Sequence, residues 1–144
     1  MGREQFLGAW KLVSFESRLA DGSVRLPFGK APVGIAIFSP DGHVAAQLMR
    51  PDRPRFASDE QNTGTAEEIR QAFSNCVAYF GKCEIDEATR TLVTHVEGSM
   101  YPNWIGGDQT RTYAFRDGRL SLSPPPRIVR GQTVTSELIW ERLT

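Results

Sequence analysis

Three Asp-Gly pairs, Asp21-Gly22, Asp41-Gly42 and Asp117-Gly118, punctuate runs in which apolar and polar residues alternate. Asp-Gly between two such runs is a strong hairpin signal, because the tight turn needs a left-handed backbone that glycine adopts without strain. The pairs commit most of the chain to short antiparallel strands. Residues 11–17, 33–38, 43–49, 110–116, 119–123 and 133–142 read as strands on this basis. Thirteen glycines and nine prolines in a chain rich in Val, Phe, Tyr and Thr agree. Pro124-Pro125-Pro126 breaks the pairing between the last two, since proline cannot donate to an interior ladder.

Two segments depart from this rhythm. Residues 50–64, RPDRPRFASDEQNTG, carry two prolines and several charges without periodicity, and read as a surface loop. Thr65-Ala66-Glu67-Glu68 then matches a capping box, with Ile69, Ala72 and Phe73 following at helical spacing. A short helix over about 65–75 is predicted, either closing one end of the sheet or packed outside it.

Residues 78–97, AYFGKCEIDEATRTLVTHVE, form a further hairpin with its turn at 86–90. Lys82 and Glu84 share one parity and face water, which leaves Tyr79, Gly81, Cys83 and Ile85 facing inward. If the turn pairs odd positions with odd ones, Val93, His95 and Glu97 share that inner face, with Gly81 leaving space opposite the imidazole. The assignment depends on register, because a slip of one residue moves every side chain to the other face.

About eight short antiparallel strands and one helix close most economically as an up-and-down β-barrel in a single domain over 1–144, since closure removes exposed edges. Eight strands leave an interior that is either filled or able to hold one small ligand. Lys plus Arg equals Asp plus Glu at 17 each, so no global field draws the chain to nucleic acid or to an anionic membrane. Neither an apolar membrane-spanning run nor a signal peptide is visible. Cys76 and Cys83 on one extended strand would stand about 23 Å apart, far beyond the roughly 7 Å reach of a disulfide. Free thiols and the missing leader point to the cytoplasm. No CxxC, zinc-ligand spacing, phosphate loop, nucleophile elbow or dinucleotide fingerprint occurs, so no metal or cofactor is expected. Nothing in the sequence indicates an oligomeric state.

Several segments together resemble a known family. Gly8-Ala9-Trp10 resembles the GxW signature of lipocalins, and Trp140-Glu141-Arg142 resembles their closing arginine, which packs over that tryptophan. In order, GAWKLVSFES, GIAIFSPDGHVAA, AYFGKCEID, TLVTHVEGSMYPNWIG, the arginine before YAF and LIWER resemble the bacterial and fungal lipocalin-like domain family over nearly the whole chain. The resemblance implies a lipocalin-like antiparallel barrel with an internal cavity. It fixes neither ligand nor reaction.

Candidate site residues follow from parity and loop chemistry. Arg111 shares parity with Tyr113 and Phe115 and is placed inside, where it would neutralise Glu97. Tyr101 and Trp104, in a loop with Pro102 and Gly106-Gly107, would cover the rim, or merely anchor the loop. His43, after a turn, is placed in solvent. Trp10, Trp140 and Arg142 are assigned to a structural clasp at the closed end. The first functional expectation is a protein binding a small, largely hydrophobic molecule through Tyr79, His95, Glu97, Tyr101, Trp104 and Arg111. The alternative is a cofactor-independent isomerase, cyclase or hydrolase with His95 as acid or base and Glu97 assisting. The same polar groups also read as a satisfied internal network in a protein that works through its surface.

Overall fold

The computed structural model describes residues 2–144. Its strands are β1 (Gly8–Leu19), β2 (Val24–Arg25), β3 (Val33–Phe38), β4 (His43–Met49), β5 (Cys76–Asp86), β6 (Thr91–Ser99), β7 (Asp108–Arg116), β8 (Arg119–Ser123), β9 (Arg127–Val129) and β10 (Gln132–Arg142), with one α-helix, α1 (Ala66–Ser74). Each of β3 to β8 pairs with its sequence neighbour, and β1 pairs with both β3 and β10. Eight strands thus close into an antiparallel barrel, with β2 and β9 as short additions to β1 and β10.

The Asp-Gly turns build the hairpins as anticipated. Gly42, at φ 99°, joins β3 to β4, with Phe38 opposite Val44. Asp117 and Gly118 are both left-handed and join β7 to β8 as a two-residue loop, with Arg116 opposite Arg119. Asp21-Gly22 turns β1 into β2 alone. A fourth tight turn, Arg130-Gly131, joins β9 to β10, with both residues left-handed. The sequence reading missed it and began the last strand at Thr133. Proline interrupts the sheet at 124–126, yet the ladder resumes within this small hairpin.

The β5–β6 register differs from the expectation. Cys83 lies opposite Thr94 and Lys82 opposite His95, so odd positions of β5 face even positions of β6 near the turn. Four residues, Glu87 to Arg90, separate Asp86 from its partner Thr91, and an even loop forces that pairing. Leu92, Thr94 and Val96 are therefore the inward residues, all buried, and His95 and Glu97 face out. Farther along, Phe80 pairs with Gly98 and Gly81 with Val96, which leaves Glu97 as the extra residue of a β-bulge. Gly81 is required here for another reason than room beside an imidazole: a Cβ on it would lie 2.0 Å from the carbonyl oxygen of His95.

One end of the barrel is packed shut. Phe6 enters it from a 3-10 turn at Gly2–Gln5, with its ring about 5 Å from those of Phe38, Tyr113 and Phe115. Trp10 donates its indole N–H to the Phe6 carbonyl at 2.8 Å. The Arg142 guanidinium lies 4.3 Å from the Trp10 ring centre and donates to the carbonyls of Gln5 and Leu7. Trp10 and Arg142 thus form the clasp read from the two ends of the sequence, with Phe6 as its unanticipated plug, whereas Trp140, assigned to the same clasp, lines the barrel interior instead.

The other end carries the long connections. Helix α1 has the anticipated capping box, with Thr65 accepting from Glu68 N–H and the Glu68 carboxylate accepting from Thr65 N–H. None of its residues is buried, and Ile69 and Phe73 stay exposed. It lies beside the barrel and does not plug it. No helix among the described residues is long and apolar enough to cross a membrane.

Candidate functional site

Because side chains alternate along every strand, the open half of the barrel encloses a cavity of about 540 Å³. That volume lies within the range of small-molecule sites. Ala36, Val44, Ala46 and Leu48 form one wall, from β3 and β4. Phe15, Leu122, Val134 and Leu138, from β1, β8 and β10, form the opposite one, and Phe38 and Trp140 lie toward the closed end. Around the mouth stand residues from connections: Pro27 and Phe28, Ser74 at the end of α1, Trp104, and Pro124 and Pro125. Phe28 is buried with its ring edge-on to Phe15, at 5.3 Å.

A few polar groups interrupt this apolar lining: Tyr79 on β5, Thr94 on β6, Gln109 and Arg111 on β7, Ser136 on β10, and Arg127 near the rim. Ser136 and Ser17 share a hydrogen bond of 2.7 Å. Arg111 donates to the Thr110 carbonyl at 2.8 Å and to the side-chain oxygen of Gln109 at 3.3 Å. Burial pushes the Tyr79 phenol up from its ordinary range, partly opposed by the Arg111 guanidinium, so the group remains an O–H donor near neutral pH. Trp104 stands edge-on to Tyr79 at 5.4 Å and to Tyr101 at 5.9 Å. The buried Cys83 thiol is pushed up to about 11, chiefly by desolvation, which keeps it uncharged and a poor nucleophile. Cys76 is free as well.

Of the six residues singled out in the sequence, Tyr79, Trp104 and Arg111 line this cavity. Tyr101 does not: it buttresses Trp104 from outside and is 45% exposed. His95 and Glu97 do not either. His95, with its side chain 43% exposed, bridges Glu84 on β5 and Asp108 on β7, the latter at 2.7 Å. These hydrogen bonds, first to Glu84 and then to Asp108, raise its pKa, because the protonated ring can donate to both carboxylates at once. Glu97 meets His43 at 3.2 Å, and His43 also lies 3.3 Å from Asp41. The expected Arg111–Glu97 pair is therefore absent, because the two side chains lie on opposite faces of the sheet.

Thr94, Gln109, Ser136 and the mouth prolines were not anticipated as lining residues. Parity carried part of that signal, since Gln109 lies two residues before Arg111 and Ser136 two before Leu138. The mouth residues come from loops, where no period applies.

The outer polar groups border a second concavity, an open cleft of about 570 Å³ between Lys82, Glu84, His95, Glu97 and Asp108. Its histidine and Glu97 already engage partners across the cleft wall. The barrel cavity is the better candidate site, because its walls are largely apolar. Among the described residues, no group of three or more His, Cys, Asp or Glu is arranged to hold a metal ion.

The sequence pattern of the lipocalin-like domain matches residues 7–143. A 4'-hydroxy-3'-methoxypropiophenone carrier protein of Aspergillus oryzae is 35% identical over 107 residues, an alignment that covers 69% of this chain and 96% of the relative. A lipocalin-like protein from Bacteroides uniformis superposes with a TM-score of 0.49 at 14% identity, over 96% of this chain and 99% of that one.

Proposed function

The chain belongs to the lipocalin-like domain family, and from that premise we propose that it is a carrier, holding a small and largely apolar molecule in its barrel and releasing it unchanged. The observation that carries this reading is the cavity of about 540 Å³, walled by aliphatic and aromatic side chains and interrupted by only a few polar groups. The Aspergillus relative is named as carrier of an aryl ketone. A planar aromatic ligand of that class suits a mouth where Trp104 and Tyr79 already meet edge to face. Tyr79, Trp104 and Arg111 are the proposed contacts among the residues first singled out. The acid–base alternative needs His95 and Glu97 beside the ligand, and both lie on the outer wall. Two free thiols and the balanced charge support a cytoplasmic carrier of small molecules.

Intrinsic fluorescence tests the reading, since Trp104 stands at the mouth and Trp140 deep inside. Titration with 4'-hydroxy-3'-methoxypropiophenone should quench emission saturably at one molecule per chain, and mass spectrometry after denaturation should recover the compound unaltered. A linear, non-saturating response to this and other aryl ketones would rule the carrier reading out. Recovery of a converted product would replace it with an enzyme.

A further inference from the structure

Arg111 gives the cavity a charge that the rest of the lining does not answer. Its position on β7 lies opposite Leu92 of β6, an inward residue, and its side chain is half-buried among the cavity walls. Its two hydrogen bonds go to neutral oxygens, the Thr110 carbonyl and the Gln109 amide. Among the described residues, no Asp or Glu lines the cavity, and none forms an ion pair with Arg111. The other charged lining residue, Arg127, is also cationic. A chain with 17 basic and 17 acidic residues has thus placed only positive charge around this apolar space.

A guanidinium withdrawn from water loses hydration, and a neutral amide returns only part of it. An anionic oxygen returns more, through two parallel N–H donors in a fixed fork. Tyr79 adds a third donor beside Arg111, because its phenol stays protonated. Tyr79 on β5 and Arg111 on β7 meet across β6, and Trp104 stands edge-on to Tyr79.

We propose that the carried molecule is an aromatic acid in the broad sense, a carboxylate or an acidic phenol, whose anionic oxygen seats on Arg111 and accepts from Tyr79 while its apolar body lies along Leu122, Leu138 and Trp140. The proposal rests on the carrier reading and narrows it to one charge state. It also agrees with the relative's named ligand, a phenol whose para-acyl group withdraws electron density and eases ionisation.

Two dyes separate the claims. 1-Anilinonaphthalene-8-sulfonate and N-phenyl-1-naphthylamine share one aromatic skeleton, differ by one sulfonate, and both brighten in apolar surroundings. The wild-type protein should bind both at one mutually displaceable site, with the sulfonate at least about tenfold tighter, the order of a charge-assisted hydrogen bond. Arg111→Met should bring the ratio of the two affinities down to about one, and Arg111→Lys should keep part of the preference. Tyr79→Phe should lower the ratio severalfold, and circular dichroism reports whether each variant remains folded. Should Arg111→Met fail to fold, the wild-type ratio and Tyr79→Phe still decide. Equal wild-type affinities, a ratio indifferent to these changes, or sulfonate binding that the neutral dye fails to displace would overturn the anion proposal and leave the carrier standing. If neither dye binds saturably, the carrier reading falls, and the proposal with it.

Discussion

His95 ties three strands together on the outer wall. It sits on β6 and hydrogen-bonds to Glu84 of β5 and Asp108 of β7. Lys82 lies opposite it in the ladder, and Arg3, Asp41 and Glu97 border the same cleft, with His43 between the two carboxylates. Because the two hydrogen bonds raise the pKa of His95 in the folded chain, its contribution is fully present below the ordinary histidine value of about 6.5. That contribution is lost as pH rises through the elevated folded value. The thermal midpoint of the wild-type protein should therefore fall across that window more steeply than that of His95→Gln; parallel profiles would show that the bridge adds nothing to stability. Its outward position was legible in principle. In TLVTHVE, Leu92 and Val96 lie on one parity and His95 and Glu97 on the other, and the rule that sends Lys82 and Glu84 outward applies equally to this strand. The even-length turn enforces the same outward placement. Arg111, by contrast, was correctly placed by its company with Tyr113 and Phe115, although its expected partner lies outside the barrel.

At the scale of the element, the β5–β6 hairpin shows what a turn and a bulge each determine. The four-residue loop selects the register near the turn, and the bulge at Glu97 allows Tyr79 to pair opposite Ser99 while Gly81 pairs opposite Val96. Gly81 makes that crossing practicable, since the His95 carbonyl occupies the space a side chain would need. Gly81→Ala should lower the unfolding free energy by about 1–3 kcal/mol or more, as overpacking against backbone does. Equilibrium denaturation with an unchanged m-value would measure the loss, whereas a midpoint like that of the wild type would mean that the bulge relaxes freely. The sequence carries the Asp-Gly turns plainly because glycine's left-handed preference is local. It carries the bulge poorly, because a single extra residue depends on pairing with a strand elsewhere in the chain. Arg130-Gly131 lies between these cases: its glycine was visible, but the prolines before it concealed the short strand it serves.

Across the whole molecule, the barrel divides its labour between two ends. The closed end joins the beginning and the end of the chain, for β1 pairs with β10 along most of its length and Arg142 clasps Trp10 above the buried Phe6. Closure was readable because both halves of the clasp lie in regular strands with recognisable partners. The open end was less so, since Phe28, Trp104, Pro124 and Pro125 reach the cavity from connections whose course no periodicity describes. Such a division predicts that stability and binding respond separately. Arg142→Ala removes a cation–π contact and hydrogen bonds to the Gln5 and Leu7 carbonyls, a loss of about 1–2 kcal/mol at an exposed site. It touches nothing at the mouth. Denaturant unfolding should show the lower stability, while the affinity for N-phenyl-1-naphthylamine at a temperature where the variant is fully folded should stay within about twofold of wild type. A tenfold weaker affinity under those conditions would mean that the clasp helps shape the cavity, and that the packed end and the binding end act as one unit.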